Sequence, residues 1–133
     1  MLAHVLSRQH GARVLSSVTQ RMSSTSNAAL RRQLASPESL EGLQQKGWIV
    51  ASGPGEGTQK LTRDYKFPNF IEAWGFMSRV AIWAEKLNHH PEWSNVYNRV
   101  SIALTTHDEG NRLTALDVKM ADRIEQLAGE QAS

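Results

Sequence analysis

A long amphipathic segment in the middle of the chain, residues 69–87, is the feature that most constrains the fold. Asn69, with Glu72 three residues later, forms a capping-box pattern, which predicts that a helix begins there. Apolar residues then recur every three or four positions, which is the spacing of one helical face. This stripe predicts one buried face made of the following residues: Phe70, Ala73, Trp74, Met77, Val80, Ala81, Ala84 and Leu87.

Two further aromatic residues of this helix, Phe76 and Trp83, lie outside the predicted buried stripe. A helix with aromatic side chains on a second face is either buried on two sides or exposes an apolar patch. The sequence favours an exposed patch that contacts another subunit.

Hairpin patterns lie on both sides of the long helix. The loop SGPGEG separates two short alternating stretches, and a tight turn at Asn98-Arg99 separates two more. The resulting order α-β-β-α-β-β-α predicts an α+β fold, in which three helices pack on one face of a four-stranded antiparallel sheet. The predicted strands are 47–51, 59–66, 93–97 and 99–107, and the outer helices are 37–46 and a segment that starts after Thr114.

Charge is distributed unevenly along the chain. The first 37 residues carry a charge of +5 and contain no Asp, Glu or Lys, whereas the remaining 96 residues carry −3. The basic character therefore belongs mostly to the N-terminal segment, and direct nucleic-acid binding by the folded part is not predicted. No apolar run reaches about 18 residues, so no membrane-spanning segment is predicted.

The N-terminal segment has the composition of a targeting sequence. Residues 1–27 are rich in Ser and Arg and free of acidic groups, which is typical of a mitochondrial transit peptide, with cleavage between Arg21 and Asn27. A disordered basic tail on a protein of the cytoplasm and nucleus is the alternative. The chain is thus predicted to be a leader, 1–27, followed by a single domain, 28–133.

Three of the five histidines, His89, His90 and His107, are candidates for chemistry. His89 and His90 precede the first strand of the second hairpin, and His107 ends the second strand. Because paired antiparallel strands bring these two positions to the same end of a sheet, the three imidazoles are predicted to converge there. Imidazole, with an ordinary pKa of about 6.5, is suited to proton transfer at neutral pH.

Other interpretations of these histidines stay open from the residues alone. Three imidazoles bind zinc in some catalytic sites. However, neighbouring side chains in an extended chain point apart, and Pro91 biases His90 toward the extended conformation, so no metal site is predicted. Three partly exposed polar side chains at strand ends also fit the pattern. The chain has no cysteine, which excludes disulfides, thiol nucleophiles and zinc sites with cysteine ligands.

Four residues around the histidines are candidate neighbours. Trp93 and Tyr97 share one side of the predicted strand and are expected to form a stacking wall beside the imidazoles, unless they simply pack in the sheet. Glu85, one turn before the helix end, is a candidate hydrogen-bond partner for an imidazole. Asp117, three residues after Thr114, completes a capping box for the last helix.

The spacing of these residues resembles the signature of the pterin-4a-carbinolamine dehydratases. That signature runs over Glu85, His89-His90-Pro91, Tyr97, His107 and Asp117. Around it, WGFMSRVAIWAEKLNHHPEWSNVYNRVSIALTTH is similar to the central helix and hairpin of the family. The resemblance covers about residues 36–127.

This resemblance implies an activity. Family members remove water from 4a-hydroxytetrahydropterin to give quinonoid dihydropterin, which recycles the tetrahydrobiopterin cofactor of aromatic amino-acid hydroxylases. By the same resemblance, no metal or organic cofactor is required. His89 and His107 would be the acid–base pair, and His90 would bind and orient the pterin. The other substrate-binding residues implied by the resemblance are Glu85, Pro91, Trp93, Tyr97 and Asp117.

The resemblance also implies partners and one departure. Family members form homodimers or homotetramers through a joined sheet and packed central helices. Some also bind the dimerisation helices of a homeodomain transcription factor, so a dimerisation cofactor or coactivator is the alternative function. Asn88 stands where related sequences often carry Asp, which implies a change in how the adjacent imidazole is tuned.

The transit interpretation predicts that full-length protein enters mitochondria and that protein without residues 1–27 does not. Imaging both forms in the same cells checks this. Equal exclusion of the two forms from mitochondria would contradict it.

Overall fold

A computed structural model describes residues 25–129 of the chain. Most of the predicted leader lies outside this part, so its boundary, its cleavage and the mitochondrial location stay predictions. None of the described helices is both long and apolar enough to cross a membrane. The elements are α1 (Asn27–Arg32), α2 (Pro37–Gln45), β1 (Ile49–Ser52), β2 (Gln59–Lys66), α3 (Phe70–Leu87), β3 (Glu92–Val96), β4 (Arg99–Leu104), a 3-10 turn (His107–Glu109) and α4 (Ala115–Ala128).

The four strands form one antiparallel sheet in the order β1-β2-β4-β3. Pairing of β2 with β4, from Leu61 opposite Leu104 to Lys66 opposite Arg99, joins the two hairpins. Alternate side chains of these two strands are buried, whereas Asp64 and Ser101 between them are exposed. The predicted α+β fold, with helices on one face of the sheet, is confirmed.

The predicted helix starts are also confirmed. Ser36 accepts a hydrogen bond from the Ser39 backbone N–H at 3.2 Å, with Pro37 in the first turn of α2. Asn69 caps α3 in the same way, since its side chain accepts from the Glu72 N–H. The start of α4 carries a full capping box. Each such cap contributes about 1 kcal/mol.

Helix α1 is a fourth helix where the sequence predicts three. It spans six residues and is capped by Ser26. A helix this short is not stable by itself, so it depends on tertiary contacts that periodicity does not show. The residues that follow it supply those contacts: the Gln33 carbonyl accepts from Ala115 N–H at 2.8 Å, and Ala35 N–H donates to the Leu113 carbonyl at 3.0 Å. These bonds attach α1 to the start of α4.

The buried face of α3 differs from the predicted one. Phe76, predicted to lie off the core, is fully buried, whereas Trp74, predicted to be buried, is 56% exposed. Phe70 is 45% exposed, and Ala81 is exposed as well. The reason lies at the end of β2 and in the residue that follows it, because the rings of Tyr65 and Phe67 pack against Phe76 with centroids 5.2 and 4.8 Å away. The spacing of apolar residues in α3 fits two neighbouring faces, one with Trp74 and one with Phe76. The aromatic contacts of Phe76 decide which of the two faces is buried.

A carboxylate on α4 ties that helix to the sheet. Glu125 accepts hydrogen bonds from Trp48 Nε1 at 2.9 Å, from Arg63 Nε at 3.2 Å and from the Tyr65 hydroxyl. Burial, together with this carboxylate, raises the pKa of the Tyr65 phenol, which therefore stays a donor. The network fixes the distance between α4 and the strands, and α4 carries part of the site described below.

Candidate active site

The second hairpin brings its two histidine-bearing segments to one end of the sheet, as predicted. Glu92, which begins β3, pairs with Ala103 near the end of β4. His107 follows β4, and its Nε2 lies 3.9 Å from the Glu92 carboxylate. His89 and His90 immediately precede β3. Strand register therefore brings the two histidine-bearing segments to the same end of the sheet.

Asn88 turns the chain at the end of α3. Its backbone is left-handed, with φ 49° and ψ 46°, a conformation that Asn tolerates better than most residues. Asn88 N–H donates to the Glu85 carbonyl at 3.1 Å, and His89 N–H donates to the Ala84 carbonyl at 2.9 Å. This pair of bonds is a Schellman motif, which directs His89 back toward the protein interior. The predicted effect of Asn88 on the tuning of the imidazole stays a prediction.

His89 and Asp117 form a buried pair. His89 Nε2 lies 2.6 Å from Asp117 Oδ1, and the two side chains are 7% and 0% exposed. The other carboxylate oxygen, Oδ2, accepts from the Thr106 hydroxyl at 2.7 Å and from the Thr114 N–H at 2.8 Å. Since an ionised carboxylate only accepts, the imidazole carries its proton on Nε2. His89 Nδ1 is left as the nitrogen with a free lone pair.

Asp117 thus has two roles that the sequence suggested separately. It completes the capping box of α4, as predicted, and it orients His89. Direct contact with a substrate, which the resemblance implied, is not available to it because the residue is fully buried. Its effect on a substrate has to pass through His89.

His107 faces solvent, with 65% of its side chain exposed, and it begins the 3-10 turn rather than ending β4. Its Nδ1 lies 2.8 Å from Asn111 Oδ1. Asn111 has a positive φ of 57°, and it follows His107 by one 3-10 turn. Because the amide oxygen accepts, His107 carries its proton on Nδ1 and leaves Nε2 free. The two histidines are therefore held in opposite tautomers.

His90 is paired with Glu85. Its Nε2 lies 2.9 Å from Glu85 Oε2, and both side chains are largely exposed. The prediction that Glu85 hydrogen-bonds an imidazole is confirmed, and the imidazole is that of His90. Pro91 is half-buried and connects His90 to β3.

The predicted aromatic wall beside the histidines is wrong for Tyr97. Strand β3 ends at Val96, and the turn is Tyr97-Asn98 rather than Asn98-Arg99. Tyr97 is 64% exposed, with φ 50°, at the end of the hairpin opposite the histidines, about 16 Å along the strand from Glu92. Asn95 favours this turn, since its side chain donates to the Tyr97 and Arg99 carbonyls. Trp93 stays near the histidines, half-buried against the core.

Several site residues were not predicted. Thr106 and Asn111 lie close to His107 in sequence, and the i+4 spacing of an amide after a histidine is a signal that was available. Glu92 is adjacent to the HHP segment and forms an ion pair with Lys60. Lys60 lies 32 positions from its partner, and no local pattern indicates such a contact.

The three imidazoles have three different partners: Asp117, Glu85 and Asn111. Within residues 25–129, no three His, Asp or Glu side chains are grouped so that they could hold a metal ion. The geometry instead leaves one ring nitrogen of each imidazole without its fixed partner, Nδ1 of His89 and Nε2 of His107. Such a nitrogen accepts a proton in the neutral ring and donates one in the imidazolium.

Comparison with known proteins identifies the family of the chain. Residues 32–127 match the family model described as pterin 4 alpha carbinolamine dehydratase. A Roseobacter denitrificans protein, provisionally named a pterin-4-alpha-carbinolamine dehydratase, is 50% identical over 90 residues, 68% of this chain and 87% of that protein. A Brucella ovis protein with the same provisional name is 45% identical over 100 residues, 74% of this chain and 98% of its own length.

A solved structure agrees with this match. The crystal structure of a transcriptional coactivator/pterin dehydratase from Brucella melitensis is 40% identical in sequence, with a TM-score of 0.61. The alignment covers 73% of this chain and all of that one. By sequence and by fold, the chain belongs to the pterin-4a-carbinolamine dehydratase family.

Proposed function

We propose that the protein dehydrates 4a-hydroxytetrahydropterin to quinonoid dihydropterin and so recycles the tetrahydrobiopterin cofactor of aromatic amino-acid hydroxylases. The observation that carries the proposal is the pair of fixed, opposite tautomers at one end of the sheet. His89 presents Nδ1, and His107 presents Nε2. Membership of the dehydratase family supports the reaction class.

The reaction requires two proton movements. The C4a–O bond breaks as the 4a-hydroxyl takes up a proton and leaves as water. The N5–H bond breaks as its proton is accepted by a base, and the electron pair it leaves forms the C4a=N5 double bond. In this proposal one of the two histidines acts as the neutral base that accepts the N5 proton. The other enters the reaction as the imidazolium and gives the proton on its presented ring nitrogen to the departing hydroxyl. The pterin supplies the electrons, so the proposed reaction uses no metal or organic cofactor.

Other residues of the 85–93 segment are proposed to hold the substrate. His90, fixed by Glu85, lies on the exposed side of the same segment as His89 and is proposed to bind and orient the pterin. Trp93 and Pro91 are proposed to contact its ring. Tyr97, by contrast, lies at the far end of the hairpin and is not proposed to contact the same substrate within one chain.

Replacement of the proposed acid–base pair tests the function. His89→Ala and His107→Ala are each expected to lower kcat for dehydration of a 4a-hydroxytetrahydropterin by about 10²–10⁴. His90→Ala is expected to raise KM more than it lowers kcat. Stopped-flow absorbance measures all three. Ser101→Ala, on the exposed face of β4, is the control and is expected to behave as wild type. Wild-type rates in both alanine variants would overturn the assignment.

Asp117→Asn tests the role of the tautomer. Thr106 and Thr114 still require an oxygen at the Oδ2 position, so the new amide nitrogen has to face His89. The imidazole would then accept at Nε2 and carry its proton on Nδ1, which removes the free lone pair. We expect kcat to fall about 10²–10⁴ and the ¹⁵N shifts of His89 to report the exchanged tautomer. An unchanged tautomer together with unchanged kcat would contradict this role of Asp117.

An exposed apolar stripe on α3 suggests that copies of the chain assemble with one another. Ile71, Trp74 and Ile82 are 78%, 56% and 68% exposed, and they recur at helical spacing on one face. We propose that this stripe joins copies of the chain into a homodimer or homotetramer. The alternative function, as a coactivator that binds dimerisation helices of a homeodomain factor, would use the same stripe. The solved relative described as a transcriptional coactivator supports keeping this alternative.

Trp74→Asp is expected to shift the chain toward the monomer in sedimentation velocity, because a charge would be placed in an apolar contact. Gln44→Asp, at an exposed site on α2 and away from both the α3 stripe and the sheet edges, is the control and is expected to assemble as wild type. Assembly of Trp74→Asp at wild-type affinity would contradict the proposed contact. Capture of the factor's dimerisation helices by wild type and not by Trp74→Asp would support the coactivator alternative. Phe76 is unsuited to this test because it is a core residue.

A further inference from the structure

One side chain outside the matched region contacts both histidine-bearing loops. Arg31, on α1, donates from Nη2 to the backbone carbonyl of Asn88, and from Nη1 to Asp108 Oδ2 at 2.9 Å. Asn88 directly precedes His89, and Asp108 directly follows His107. The residues that match the family model start at position 32, one residue after Arg31.

In the interior the two loops are joined by Asp117, which accepts from His89 Nε2 and from the Thr106 hydroxyl. At the surface, where His107 lies, the described contacts between the loops are few. The segment 88–91 connects α3 to β3, and residues 105–114 connect β4 to α4, so neither loop carries regular strand pairing along its length. The contact of His107 with Glu92 is long, at 3.9 Å, and both of its side chains are largely exposed. A planar guanidinium with two N–H groups at fixed spacing is a more rigid connection than a lysine or a single hydrogen bond.

Helix α1, which carries Arg31, is itself attached to α4. Lys119 Nζ on α4 donates to Asn27 Oδ1 at 3.1 Å, and the backbone bonds of Gln33 and Ala35 attach the end of α1 to the start of α4. The Asn88 carbonyl lies at the carboxyl end of α3, where the helix dipole favours a cation. The Arg31 side chain is 24% exposed, so the contact is partly shielded from solvent.

From these contacts we infer that Arg31 is a positioning residue that sets the separation of His89 and His107. It does not reach the imidazoles; it holds the residue next to each. The inference rests on the proposed function, because the separation matters for a reaction in which the two histidines act on one substrate. A displacement of about 1 Å in such a pair costs on the order of a hundredfold in rate.

Arg31→Ala is expected to lower kcat about 10- to 100-fold, with little change in Tm because the contact is a partly exposed ion pair. Arg31→Lys keeps the charge but has no guanidinium with two N–H groups to bind both loops at once. Its kcat is expected to recover less than half of the difference between Arg31→Ala and wild type. Arg32→Ala is the matched control: it removes the next arginine of the same helix, which is exposed and forms no ion pair with a described residue. It is expected to keep wild-type kcat. A kcat in Arg31→Ala within twofold of wild type would overturn the inference, as would full rescue by lysine.

A second readout is independent of turnover. Hydrogen exchange is expected to quicken together in segments 88–92 and 106–110 of Arg31→Ala, and to stay at wild-type rates in Arg32→Ala. Faster exchange in one segment alone, or in neither, would contradict a clamp between the two loops. If wild type showed no dehydration at all, the proposed function would fail, whereas the exchange result would still decide whether Arg31 couples the loops.

Discussion

The buried carboxylate of Asp117 is the constraint on which the functional end of the molecule depends. Removing a carboxylate from water costs several kcal/mol unless its oxygens are fully hydrogen-bonded. Here Oδ1 accepts from His89, and Oδ2 accepts from Thr106 and Thr114. The position of the carboxylate at the amino end of α4 adds the favourable helix dipole. One side chain thus joins the end of α3, the end of β4 and the start of α4.

This arrangement gives the two proposed acid–base groups different surroundings. His89 lies in the interior, where a single donor-acceptor pair fixes its ring and its tautomer. His107 lies at the surface, oriented by the amide of Asn111. In the proposed reaction one of these imidazoles enters protonated and gives a proton, while the other enters neutral and takes one. Three features of the fold produce this difference in surroundings: the register of β3 and β4, the left-handed backbone of Asn88, and the side-chain caps at the starts of α3 and α4.

Much of this was predictable because it follows from local rules. The capping boxes located the starts of α3 and α4, and hairpin pairing placed His107 beside the start of β3. The buried face of α3 was not predictable, since Phe76 and Trp74 both fit a helical period and the choice depends on Tyr65 and Phe67 across the core. The left-handed turn at Asn88 that ends α3 was not predicted, although Asn is one of the residues that tolerate this conformation. The Arg31 contact spans 77 positions, and nothing local indicates it.

The cap of α1 bears on the predicted removal of the leader. Ser26 Oγ accepts from the Ala29 N–H at 3.2 Å and so begins the helix that carries Arg31. A peptidase that removed the leader would keep this helix capped only by cutting upstream of Ser26. Of the predicted cleavage range, from Arg21 to Asn27, the last bonds are therefore unfavourable. If the predicted leader is removed, the helix that carries Arg31 therefore limits where cleavage can fall without loss of its cap.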